Sequence, residues 1–142
     1  MGEAAFNLAA SLERFLEFTV HVLSLHHGIS TDEFRATWKD VARQSERQLG
    51  MFLCMWLIHT RQAPKLIGGD WVKFRNDVVH AGLIPSETDV TTYGEEVLAF
   101  VSKRLDVLKT DARQAIEDRT MARAIDALDE VKNLRGRAHD NP

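Results

Sequence analysis

The sequence predicts an all-α domain, an up-down bundle of four to five helices ending in a long C-terminal helix. Three observations predict it. Apolar residues recur at intervals of three and four along nearly all of the 142 residues. Of the three prolines, Pro64 and Pro85 fall between the periodic stretches, where a helix has to stop anyway. No stretch alternates apolar and polar residues in the manner of a strand.

The first helix is expected over roughly residues 3 to 27. Phe6, Ala9, Ala10, Leu12, Phe15, Leu16, Thr19, Val22 and Leu23 share a face, and Gly28 supplies the stop. Ser30 and Glu33 then spell a capping box for a second helix running from 31 to about 61. Its first half is amphipathic through Phe34, Trp38, Val41, Ser45, Gln48 and Leu49. Its second half is apolar almost all round, so it should be the most buried element, with Gly50 as a candidate kink.

Residues 62–70, with Pro64, Gly68 and Gly69, read as a loop. Asp70 can cap a short third helix from Trp71 to Ala81, which Gly82 ends. After Leu83 to Ser86 turns the chain, a fourth helix starts near Thr88 or Asp89. Its stripe is Val90, Tyr93, Val97, Val101, Leu105 and Leu108. Beyond Thr110 the pattern weakens to Ala115, Ile116, Ala122, Ile125, Leu128 and Val131 among dense mixed charge. Such a helix is either a solvated face or a surface for a partner. The chain therefore divides into a helical domain, 1–110, and a helical extension, 111–142, frayed from Arg135 onward.

Composition narrows the function classes. Apolar residues make up 44% and charged residues 27%, as in an ordinary globular protein. A net charge of −3 provides no global basic field for nucleic acid, so any RNA contact has to come from a local patch. The apolar run from Met51 to Ile58 is far too short to span a membrane, and no basic-then-apolar leader opens the chain. A cytoplasmic setting is expected. Cys54, the single cysteine, lies inside that run and is expected to be a buried small hydrophobe.

Chemistry concentrates in the short third helix. On a helical wheel, Trp71, Phe74, Val78 and Ala81 fall in one narrow arc facing the core. Asn76 and His80 lie almost opposite, with Arg75 and Val79 on the flank. The strip combines a guanidinium fork suited to phosphate oxygens, an imidazole that exchanges protons near neutral pH and an amide that can hold either. Val79, apolar and turned off the core, asks to be covered. Two copies meeting about a twofold axis would bring two arginines and two histidines into one cleft. RNA needs little more for cleavage: a base for the 2′-hydroxyl, an acid for the leaving oxygen and cations for the phosphorane charge. Arg14 and His21 satisfy a looser Arg-to-His spacing, but they sit within an amphipathic helix among Phe15, Phe18 and Val22. For them an ion-pair or plain surface role is expected.

At Arg75-Asn76-Asp77-Val78-Val79-His80-Ala81-Gly82 the sequence resembles the HEPN superfamily, a group of helical bundles carrying an Arg-polar-x(3–5)-His motif. By helix order the resemblance extends over about residues 6 to 108. It implies a HEPN-like bundle acting as a metal-independent endoribonuclease, with the active site at a homodimer interface. It further implies a prokaryotic antiviral defence or toxin–antitoxin setting with an antitoxin or defence-complex partner. Arg75 and His80 would carry the catalytic roles and Asn76 the supporting polar one. One subgroup has a tyrosine two residues after the histidine, which a partner nucleotidyltransferase modifies; Gly82 stands there in this chain.

Other groups offer less. His21, His26 and His27 lack metal-ligand spacing, and His26 and His27 suit a helix C-terminus; no metal and no cofactor is expected. Gly68-Gly69 is too short for a phosphate loop. Trp38, Trp56 and Trp71 read as core, and Asp89, Glu95 and Glu96 as helix-start charge. Two alternatives to the ribonuclease stay open: a non-catalytic dimerisation or binding module within a larger complex, and a plain helical adaptor.

Overall fold

The computed structural model describes residues 2–67, Asp77 and residues 85–139. Within these the chain is all α-helical: α1 (Gly2–His26), α2 (Thr31–Val41), α3 (Ser45–Thr60), α4 (Glu87–Asp111) and α5 (Arg113–His139). No described helix is long and apolar enough to cross a membrane.

Helix α1 is the hub, packing on each of the other four. Leu12, Leu16, Val20, Val22 and Leu23 are essentially inaccessible to solvent, so α1, and not the apolar run of 51–58, is the most deeply buried of the described elements. Phe52 and Trp56 of α3, Tyr93, Val97 and Phe100 of α4, and Ala112 and Ala115 at the α4–α5 junction complete one core. The α1 helix ends where expected. Gly28 adopts φ 85°, while the amides of Gly28 and Ile29 bond back to Leu25 and Ser24, closing a Schellman motif.

Two capping boxes start helices. Ser30 and Glu33 form the expected one on α2. Ser86 and Asp89 form an equivalent one on α4, so that helix begins at Glu87, just before the expected start.

The continuous helix expected from 31 to 61 is two helices. The break lies at 42–44, not at Gly50, which sits inside α3 with open space where a side chain would go. Tertiary and cross-break bonds stabilise this turn. The Gln48 amide donates to the Ala42 carbonyl, Arg47 donates to the Asp40 carbonyl, and the Ser45 hydroxyl donates to Glu13 on α1. The carbonyls that α2 leaves unpaired at its end thereby find donors.

Helix α3 buries only one side. Phe52 and Trp56 face the core, whereas Cys54, Leu57 and Ile58 are exposed. The expectation that Cys54 is buried is therefore incorrect: eight apolar residues in a row still cover every face of a helix, and among the described elements only one side of α3 is covered.

Candidate functional site

Arg75, Asn76 and His80, the sequence-predicted catalytic residues, lie outside the described residues, as does Trp71. Inside the motif only Asp77 is described; it is helical and half-buried. The ends of the surrounding segment are fixed in the fold. Ile67 is buried in the core on one side, and Pro85, also buried, precedes the Ser86 cap on the other.

The segment's N-terminal approach, residues 65–67, is tied to α4 by an arginine that the periodicity reading overlooked. Arg104 is only 8% exposed. Its guanidinium lies 3.5 Å from the centre of the Phe100 ring and also faces the rings of Trp56 and Phe52. One terminal nitrogen donates to the Phe100 carbonyl at 3.0 Å and the other to the Lys65 carbonyl, while Nε has no partner. Burial pulls its pKa down to about 10, so it remains charged at neutral pH. Among the described residues it forms no ion pair, and neither do Lys65 and Lys103, which line the same open cavity of about 310 Å³ together with Glu96. Three cations against one carboxylate make this a local positive patch on a chain of net charge −3. The signal was in the sequence: Arg104 occupies an inward position of the line Tyr93, Val97, Phe100, Arg104, Leu108, where a charge is out of place.

The histidines also differ from expectation. His21 is not a surface group. It is buried, stacks on the Phe34 ring at 4.1 Å between centroids and hydrogen-bonds to the Thr31 hydroxyl at 3.2 Å. Burial, with the charges of Arg119, Arg35 and Arg123, lowers its pKa to about 4. His26, His27 and His59 meet edge-to-face, with ring centres 5.2 to 5.6 Å apart. His59 Nε2 lies 3.2 Å from a carboxylate oxygen of Asp111. Burial and the neighbouring His26, His59 and Arg61 lower the His27 pKa. Among the described residues no group of three or more His, Cys, Asp or Glu side chains is arranged to hold a metal ion. Asp89 serves the α4 cap, as expected of helix-start charge.

Comparison of the chain with family models, with curated proteins and with solved structures found no match.

Proposed function

We propose that the chain is a metal-independent endoribonuclease that cuts single-stranded RNA at a site shared by two copies, in a prokaryotic defence or toxin–antitoxin setting. The motif Arg75-Asn76-x3-His80 carries the reading, and the cationic cavity of Lys65, Lys103 and Arg104 supports it. Among the described residues these three groups form no ion pair, and Lys65 precedes Arg75 by ten positions in the chain, so they offer positive charge to a phosphodiester backbone. In this chemistry the RNA 2′-oxygen forms a bond to phosphorus as the bond to the 5′-oxygen breaks. One His80 accepts the 2′-hydroxyl proton, a second protonates the leaving oxygen, and Arg75 holds the phosphorane oxygens.

Purified protein is expected to cleave RNA in EDTA, leaving 2′,3′-cyclic phosphate and 5′-hydroxyl ends. Arg75→Ala and His80→Ala should each abolish cleavage while the circular dichroism spectrum stays helical. Cleavage that persists in both variants removes the proposed site.

A second reading, a non-catalytic binding module, is favoured by the apolar residues that α5 leaves exposed. No cleavage by the wild-type chain under any condition, with self-association retained, selects it.

A further inference from the structure

Helix α5 begins in the core and ends in solvent. Ala112 and Ala115 are buried, but every residue from Arg123 to Arg135 is exposed. The one described side-chain tie of this half to the body is the ion pair of Asp126 with Arg35 on α2. A helix of that length standing alone is marginal in water. It nevertheless carries Met121, Ile125 and Leu128, which are 63%, 51% and 60% exposed. At about 100° per residue these three fall in one stripe, with Val131 at its edge. The stripe is turned about 130° away from Ala115, Arg119 and Asp126, which face the rest of the molecule.

The charges at the two ends of this stripe have opposite sign. Glu117 and Asp118 flank it at the N-terminal end; Lys132 and Arg135 flank it at the C-terminal end, where Asp129 pairs with Lys132 and leaves Arg135 to carry the net positive charge. Gln114 steadies the Asp118 carboxylate through a 3.0 Å bond, and Lys132 lies 3.7 Å from Asp129. Arg135 and Glu117 form no ion pair among the described residues. An acidic–apolar–basic order is complementary to itself only when reversed. Two parallel copies would set acid on acid and base on base, whereas two antiparallel copies set each acidic end on a basic one.

We infer that the outer face of α5 is a self-association surface, on which a second copy of the chain packs its own α5 antiparallel. With the twofold axis near Asp126 and Ala127, Ile125 meets Leu128 of the second copy and Asp118 meets Arg135. Every such contact occurs twice, as an isologous interface requires. The surface lies outside residues 75–80 in sequence, and it is taken to hold together the two copies that the shared site of the ribonuclease reading needs; its test reads mass, whereas the Arg75 and His80 variants read cleavage, so the failure of one is distinguishable from the failure of the other.

Light scattering and sedimentation at micromolar concentration should give a mass twice the 16.1 kDa of the chain. Ile125→Asp combined with Leu128→Asp should give a folded monomer, because neither side chain supports the fold of a single copy. Asp118→Arg alone, or Arg135→Asp alone, should weaken the dimer by about tenfold, and the two together should restore it. In a Cys54→Ser background, Asp118→Cys with Arg135→Cys should cross-link two chains on oxidation. The two positions are about 25 Å apart on one helix and cannot bond within a chain. A wild-type monomer, a dimer indifferent to the Ile125 and Leu128 changes, or single charge reversals that the double reversal does not rescue would each overturn the inference.

Discussion

Arg104 and Phe100, one turn apart on α4, are held together twice: the guanidinium lies over the ring at 3.5 Å and donates to the Phe100 carbonyl at 3.0 Å. The same guanidinium holds the Lys65 carbonyl and fills space between Phe52 and Trp56. Arg104→Ala should lower the unfolding free energy by about 3 kcal/mol, through an unfilled volume and an unpartnered carbonyl. Arg104→Met restores most of the volume and removes a buried charge that has no counter-ion among the described residues, so it should cost less than half as much. Urea denaturation of both variants checks this. Equal losses would show that the guanidinium's bonds outweigh its desolvation.

The buried His21 makes folding stability depend on pH. Its pKa drops from the ordinary 6.5 to about 4 on folding, so between those values the unfolded chain binds more protons than the folded one. Stability is therefore fully present above pH 6.5 and falls as the pH drops toward 4. The loss should reach about 2 kcal/mol near pH 5. His21→Phe preserves the stack on Phe34 and should flatten this part of the profile. Denaturant melts near neutral pH and near pH 5 measure it, and an unchanged slope would reject His21 as the source.

Gly50 lies within α3 with nothing within 4 Å of where a Cβ would go. Gly50→Ala should thus raise stability by about 1 kcal/mol, the helix-propensity difference. A kink or break at this position would make the same change neutral or harmful, so the melting temperature decides between the two.

The last residue of the α3 turn gives a companion case. Arg61 is the one described non-glycine residue with positive φ, 59°, at the α3 C-cap. Arg61→Gly should stabilise the fold by roughly 0.5 to 1 kcal/mol by removing the left-handed penalty. Thermal melts check the sign.

The two capping boxes should have comparable weight. Ser30→Ala and Ser86→Ala each remove the acceptor for an N3 amide and should each cost about 1 kcal/mol. Their carboxylate halves, Glu33 and Asp89, are held below the usual carboxylate range by their serine partners. Their contribution is therefore present at neutral pH and is lost as the solution is acidified through the carboxylate range. Backbone amide exchange at the starts of α2 and α4 localises both effects.

The legible parts of this fold are the local ones. Gly28 and the Ser30–Glu33 box mark helix ends through bonds between residues a few positions apart, so the sequence displays them directly. The break at 42–44 is different. Phe34, Trp38, Val41, Ser45 and Gln48 keep helical spacing straight through it, and what stabilises the turn is a bond from Ser45 to Glu13, thirty-two residues away. Charge misled the reading of the interior in the opposite way. His21 and Arg104 are polar and were expected outside or passed over, yet flat rings beside them, Phe34 and Phe100, let them be buried by stacking. The motif of Arg75, Asn76 and His80 was legible as chemistry, and its geometry falls outside the described residues.

Cys54 turns the missed exposure of α3 into a practical advantage. A single accessible thiol takes one label per chain without any substitution. A nitroxide attached there would yield a single inter-label distance in a symmetric dimer, and a broad or multiple distribution in an asymmetric or larger assembly. The wild-type chain thus carries its own molecular ruler for the geometry of any complex it forms.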